Sequence, residues 1–217
     1  MSTEKHSTIA SRWLSSPAFW RGWWKVSRME GPIVTIFGGK QAARTADDYQ
    51  AAFECGKLLA AQQATLLTGG GPGIMEAAMC GFESFQGKKK RALGIAVSGI
   101  DVNFWPACHY DIIFTSSFGA RKWLLIRYSD AFIIFPGGIG TMDELFETLN
   151  SIKFSIIRRV PVILVGVDYW KSIILWYQSA CKTGYIRSDL IDLLSVTDSF
   201  SDAIEYALTA NRAQKMR

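Results

Sequence analysis

The sequence predicts a single Rossmann-like α/β domain over residues 31–217, a doubly wound and mainly parallel sheet with helices on both faces. Three observations carry this. From residue 31 onward, short β-branched runs alternate with stretches of helical periodicity. Two strand-to-helix junctions are rich in glycine, at residues 69–73 and 137–141. A chain of 217 residues with 49% hydrophobic side chains is also long enough to bury one sizeable core.

The first strand is expected at residues 33–37, ending at Gly38-Gly39. Thr45 then precedes a helix with Tyr49, Ala52, Phe53 and Gly56 on one face, and Asp48 is placed to complete a capping box. A second strand, residues 64–67, runs into Thr68-Gly69-Gly70-Gly71-Pro72-Gly73. The helix after it turns Ile74, Ala77, Ala78, Gly81, Phe82 and Phe85 to one side. A third strand at 92–97 leads into an irregular segment, 98–110, of the kind that can cover a substrate. A helix over 121–128 is followed by a strand at 131–135 and the turn Pro136-Gly137-Gly138-Ile139-Gly140-Thr141. The next helix directs Met142, Leu145, Phe146, Leu149 and Ile152 inward. A strand at 160–165 and helices near 169–181 and 199–212 close the domain.

Composition removes several classes of function. The net charge of +5 is concentrated in local runs such as Lys88-Lys89-Lys90-Arg91, read as a solvated turn, and favours anionic ligands only weakly. No helix-turn-helix, aromatic RNA-binding sheet or zinc-finger spacing is visible, so nucleic acid is not an expected partner. Cys55, Cys80, Cys108 and Cys181 lack C-x-x-C spacing and read as reduced cytosolic thiols. His6 and His109 are the only histidines, too few for a His-based triad or a His-rich zinc site, and no metal is expected. No secretory signal and no apolar run of about 18 residues is present, which predicts a cytoplasmic protein without a membrane span. Residues 1–30 stand apart as a Trp-rich helical extension, with Trp13, Phe19, Trp20, Trp23 and Trp24 among Arg12, Arg21, Lys25 and Arg28. So many indoles point to a helix packed on the domain or on another subunit; a seat on a membrane surface is the other reading.

A glycine-rich turn at the carboxyl end of a parallel strand lets backbone N–H groups approach an anion, while the next helix aims its positive end at the same spot. One such turn is weak evidence, because tight βα connections need glycine anyway. Two on one sheet, at 70–73 and 137–141, would converge on the crevice where open α/β sheets bind ligands, and point to a ligand carrying phosphate. Neither is G-x-G-x-x-G in context or ends in Gly-Lys-Ser or Gly-Lys-Thr, which disfavours dinucleotides and triphosphate hydrolysis and leaves a monophosphate. Thr141-Met142-Asp143-Glu144 then sets two carboxylates beside the second turn. By spacing alone, Thr141 and Glu144 make a capping box that needs no ligand; catalysis is the competing reading.

The run from Pro136 to Glu144 resembles the P-G-G-x-G-T-x-x-E signature of the LOG family, the cytokinin riboside 5′-monophosphate phosphoribohydrolases. Arg121-Lys122, fifteen residues upstream, is similar to that family's Arg-Lys pair. The likeness continues through Phe37-Gly38-Gly39, residues 69–75, Ser129-Asp130-Ala131 and the strand before Gly166, covering residues 31–208. It implies that Arg121 and Glu144 are the catalytic pair and that Gly137, Gly138, Gly140 and Thr141 hold the phosphate end of the substrate. Lys122 and Asp143 are further candidates, and Gly38, Gly39, Gly70, Gly71, Gly73 and Met75 complete the implied substrate-binding set. Departures are Gly38-Gly39 where relatives often have Gly-Ser, Phe118-Gly119-Ala120 ahead of Arg121, and Ile139 in the turn. The family also carries the label lysine decarboxylase, but no lysine is singled out here for a Schiff base to pyridoxal phosphate, and no cofactor is expected.

The activity so implied is hydrolysis of the N-glycosidic bond of a purine nucleoside 5′-monophosphate, of cytokinin type or AMP. Glu144 would stabilise the positive charge that builds at the anomeric carbon and orient water, and Arg121 would hold either the phosphate or the departing base. The alternatives are a nucleosidase of other base preference and a non-catalytic carrier of the molybdenum-cofactor type. A homodimer or larger homo-oligomer is expected.

Overall fold

Seven parallel strands form one sheet in the order β4-β3-β2-β1-β5-β6-β7, in a computed structural model that describes residues 16–86, 91–100 and 104–215. The elements in chain order are α1 (Pro17–Ser27), β1 (Ile33–Phe37), α2 (Asp47–Ala61), β2 (Thr65–Thr68), α3 (Ile74–Ser84), β3 (Ala92–Val97), β4 (Ile112–Thr115), α4 (Phe118–Arg127), β5 (Ala131–Ile134), α5 (Ile139–Lys153), β6 (Val162–Val165), α6 (Val167–Lys182), a 3₁₀ turn (Ser188–Leu193), β7 (Leu194–Thr197) and α7 (Phe200–Lys215). This is the Rossmann-like α/β architecture read from the sequence. β1 pairs with β2 on one side and β5 on the other, so the strand order reverses between β1 and β5. Ligand crevices of open α/β sheets form at such a switch point.

Side chains alternate between two apolar layers, as a strand of period two buried on both faces requires. Phe37, Phe132, Ile134 and Leu164 face α1, α4, α5 and α6, whereas Val34, Ile36, Ile133 and Ile163 face α2, α3 and α7. α2 and α3 meet almost backbone to backbone. A Cβ at Gly56 would lie 1.9 Å from the Ala78 carbonyl oxygen, and one at Gly81 would lie 1.8 Å from that of Phe53.

The elements differ from the sequence reading at several points. β4 and β7, two short edge strands, and the 3₁₀ turn were not expected at all. The capping box at Thr45 and Asp48 does not form: α2 starts at Asp47 with Ala46 as its N-cap and no side-chain cap. The cysteines are not all free thiols, because Cys80 in α3 is disulfide-bonded to Cys108, leaving Cys55 and Cys181 reduced. A pair separated by 28 residues carries no local spacing signal. Trp13 and Lys88 to Lys90 lie outside the described residues.

The tryptophan-rich helix α1 docks on the sheet's own core. Phe19, Gly22 and Val26 are buried, the Phe19 and Trp123 rings meet edge to face at 5.4 Å, and Trp23 Nε1 donates to the Tyr128 hydroxyl at 2.6 Å. Trp20 and Trp24 remain half exposed, with the Arg28 guanidinium 4.4 Å from the Trp24 ring. Among the described residues no helix is long and apolar enough to cross a membrane.

The α2–α3 contact tolerates no added methyl. Gly81→Ala should lower stability by about 1–3 kcal/mol. Gly119→Ala in α4, where a Cβ meets nothing within 4 Å, should leave stability unchanged or slightly raised. The shift of the urea midpoint at constant slope measures both.

Candidate active site

The loops that leave the carboxyl ends of β1 and β5 are hydrogen-bonded across the switch point. Gly39 N–H donates to the Pro136 carbonyl at 2.9 Å, and Ile74 N–H, opening α3, donates to the Gly39 carbonyl at 3.1 Å. Three glycine-bearing connections are thereby drawn around one cavity of about 970 Å³. Gly38 and Gly39 reach it from β1, Gly70 and Gly71 from β2, and Gly137, Gly138, Gly140 and Thr141 from β5. Met75, Arg121 and Glu144 complete the predicted residues that line it.

The capping-box reading of Glu144 fails on geometry. α5 begins at Ile139 with Gly138 as N-cap and no side-chain cap, so Thr141 is its third residue and Glu144 its sixth. The glycines concealed the start of the helix. Glu144 sits five residues along the helix from its start, on the side of Gly140 and Thr141, and only 7% of its surface is exposed. Its Oε1 accepts from Arg121 Nη2 at 3.2 Å. Burial pushes the Glu144 carboxyl up to about 7, against the pull of Arg121 and, more weakly, Lys122, while Asp143 and Glu147 add to the rise. Arg121 comes from the first turns of α4 and lies across the backbone of Gly69. A Cβ there would fall 1.9 Å from Nη2, so the guanidinium occupies the space a side chain would take. Met75 Sδ stands 3.9 Å from the same nitrogen.

The glycine turns are not equivalent anion cradles. In the turn before α3, Gly70 N–H is spent on Thr68 Oγ1 at 3.2 Å and Ile74 N–H on Gly39. The start of α5 is uncapped by any side chain, and its first N–H groups have no partner within the helix. Gly137 is a packing requirement, since a Cβ would lie 2.2 Å from Thr141 Oγ1. Gly138 and Gly140 are not, because a Cβ at either meets nothing within 4 Å; they leave the helix opening bare. The Tyr169 hydroxyl, from α6, donates to the Gly137 carbonyl and steadies this turn.

Three predicted residues lie off the cavity. Gly73 packs against the carbonyls of Gly39 and Lys40. The Lys122 ammonium is held by Asp143 at 3.0 Å and by Glu147, joining α4 to α5 behind the site. Sequence reading missed Lys40, Gln41 and Tyr169, which line the cavity, and Ile112, Phe114 and Phe118 of its apolar wall; Ile100, Phe104 and Pro106 of that wall lie in segment 98–110, read as one that can cover a substrate. It also missed Glu76, 2% exposed and paired with Arg44 at 2.7 Å. A lone acid in a helix's first turn carries no sequence signal beyond its favourable place on the dipole.

Comparison with known proteins adds to this geometry. A family model described as possible lysine decarboxylase matches residues 75–207. The cytokinin riboside 5′-monophosphate phosphoribohydrolase of Mycobacterium tuberculosis is 30% identical over 95 residues, a match spanning 43% of this chain and half of that protein's length. A probable cytokinin riboside 5′-monophosphate phosphoribohydrolase of Oryza sativa subsp. japonica is 30% identical over 182 residues, 79% of this chain and 70% of the relative. Among solved structures, the molybdenum cofactor binding protein of Rippkaea orientalis superposes with a TM-score of 0.60 at 27% identity, covering 82% of this chain and 95% of that one. The molybdenum cofactor carrier protein of Chlamydomonas reinhardtii gives 0.58 at 25% identity, covering 84% and 99%.

The burial of Glu144 has a measurable cost. Its carboxyl titrates higher in the folded chain than in the unfolded one, so its contribution to stability is complete below about pH 4.5 and is lost as pH rises through about 7. Glu144→Gln is neutral throughout. Its melting temperature should therefore gain on that of the wild type as pH is raised from about 5 to 8. Parallel melting curves for the two proteins across that range would contradict the assignment.

Proposed function

The chain belongs to the family described as possible lysine decarboxylase, the LOG family, and on that premise we propose that it hydrolyses the N-glycosidic bond of a purine nucleoside 5′-monophosphate, releasing free base and ribose 5-phosphate. The observation that carries this reading is the position of Glu144. It is a nearly dry carboxylate on a cavity wall, paired with Arg121, five residues and so about 7.5 Å along the axis from an uncapped helix start.

The phosphate of the nucleotide sits at the opening of α5, on the N–H groups around Gly138, Gly140 and Thr141. The ribose then runs along the helix to Glu144. As the bond from C1′ to the base nitrogen breaks, its electron pair leaves with the base and positive charge develops on the sugar. The Glu144 carboxylate stabilises that charge and accepts a proton from the water whose oxygen bonds to C1′; the departing base takes up a proton from solvent at its freed nitrogen, and Glu144 releases the one it accepted. Arg121 opposes the effect of burial and so favours the ionised form of Glu144, although burial prevails and holds the carboxyl up at about 7. Its seat on Gly69, beside Glu144, supports a role for it at the sugar and base end, where its planar fork can donate to the departing ring. The apolar wall formed by Phe104, Pro106, Phe114 and Phe118 suits a base with an apolar substituent, as in cytokinin nucleotides.

The structural likeness to molybdenum cofactor carriers supports a second reading, in which the cavity binds a phosphorylated pterin without turnover. One assay separates the two. Purified protein incubated with AMP, N6-isopentenyl-AMP and other nucleoside monophosphates should release free base, and the corresponding nucleosides should be poor substrates, because phosphate binding energy positions the ribose. Tight pterin binding with no base released from any nucleotide would favour the carrier.

Glu144→Gln should lower kcat on the order of 10²-fold or more with AMP affinity retained, and Arg121→Lys should also impair turnover. In the wild type, kcat/KM should rise with pH to a plateau above about 7 as Glu144 ionises. A Glu144→Gln protein with near-normal turnover would remove the residue from the mechanism.

A further inference from the structure

Phe104 and Pro106, which line the cavity, belong to the segment joining β3 to β4, and α3 grips that segment at two adjacent residues. Glu76 Oε1 accepts from Ala107 N–H at 2.7 Å. Cys80, four residues on and therefore on the same face of α3, is disulfide-bonded to Cys108. Glu76 also receives Arg44 Nη2 at 2.7 Å, and Arg44 donates to the Trp105 carbonyl at 3.5 Å. Arg44 follows Lys40, Gln41 and Ala42, which line the same cavity. One buried carboxylate and one disulfide on a single helix thus hold two loops that shape the cavity.

The covalent half of this clasp borders a second cleft, of about 610 Å³, which Cys80 and Cys108 line together with Arg44 and His109. Cys80 is buried and Cys108 partly exposed, so a reductant would meet the disulfide at Cys108, from this cleft and not from the cavity that holds Glu144.

We propose that the clasp of Glu76 and Cys80–Cys108 sets the selectivity of the cavity for the base, and that thiol redox state switches that selectivity. This rests on the proposed hydrolase reading insofar as the base occupies the wall at Phe104 and Pro106. A dithiol reductant breaks the S–S bond through a mixed disulfide: its two thiols become a disulfide, and two electrons and two protons pass to Cys80 and Cys108 as free thiols. At residues 105–108 the segment then keeps, among the described residues, the Ala107 and Trp105 hydrogen bonds. The wall loosens where an apolar base substituent packs, while Glu144 and Arg121, on α5 and α4, keep their places.

The test uses the full chain, air-oxidised or treated with dithiothreitol, and compares N6-isopentenyl-AMP with AMP. Reduction should raise KM for N6-isopentenyl-AMP about threefold or more, change that for AMP less, and leave kcat within about twofold. Reoxidation should restore the first value. Cys108→Ser should match the reduced protein and ignore dithiothreitol, and Glu76→Gln, which keeps an acceptor for Ala107 but loses the charge facing Arg44, should raise the same KM in both redox states. Identical KM values before and after reduction, or alkylation of both Cys80 and Cys108 in the unreduced protein, would overturn the proposal. If no form cleaves either nucleotide, the hydrolase reading fails on its own. Amide hydrogen exchange at residues 104–110 then decides the clasp: faster exchange on reduction supports it, and unchanged exchange refutes it.

Discussion

The carboxylate of Glu144 has been taken almost entirely out of water, and the carboxyl end of the sheet is organised around that charge. Removing an ion from solvent costs several kcal/mol, and a guanidinium is the partner that recovers part of it. Arg121 can stand beside Glu144 only because Gly69 leaves its Cβ position empty and because α4 is set at the right height against α5. Ser117 caps α4 by accepting from Ala120 N–H, and Lys122 bridges α4 to Asp143 and Glu147 on α5. The residues that sequence reading placed near the reacting atoms, Lys122 and Asp143, thus hold the two helices whose inner faces carry Arg121 and Glu144. The same carboxylate would cost the protein least as an acid and serve the reaction best as an ion, a conflict expected where function is placed above stability.

The scaffold does not distinguish hydrolysis from carriage. Cofactor-binding proteins superpose on this chain over most of their length, and the switch-point crevice with its glycine connections is a property of the sheet order. What bears on chemistry is the pair Arg121 and Glu144, the bare start of α5, and the apolar wall carried by the segment before β4. These come from three different parts of the chain, α4, α5 with its opening turn, and the segment before β4, so the cavity can change character at one wall while the others stay fixed.

Much of this was legible in the sequence, and the gaps have physical causes. β1 was read to the residue because the largely β-branched run Ile-Val-Thr-Ile-Phe ends in two glycines, and β3 because its apolar run ends at the polar turn Ser98-Gly99. β4 was overlooked because Ile112 to Thr115 is a four-residue edge strand lying directly behind an irregular segment, and β7 because its side chains are only partly buried and lack an apolar run. The glycine turns were found, but not their inequality, which depends on which N–H groups the protein itself consumes at Gly39, Gly70 and Ile74. Thr141 and Glu144 showed the spacing of a helix cap, and only the true start of α5 three residues earlier, with Gly138 as N-cap, removes that reading. Cys80 with Cys108, and Glu76 with Arg44, are long-range pairs that no periodicity announces.

The position of β1 between β2 and β5 also bears on how the chain is made. Ile33 N–H is bonded to Asp130 Oδ2, and Trp23 on α1 reaches Tyr128, pairs separated by 97 and 105 residues. During synthesis the first strand therefore gains β2 early but keeps an open edge until β5 emerges, and the indoles of α1 have no seat until β4 and α4 exist. Non-local contacts of this kind delay folding and leave apolar surface exposed in the nascent chain. The centre of the sheet, which will hold the site together, is the last part of its first half to be completed.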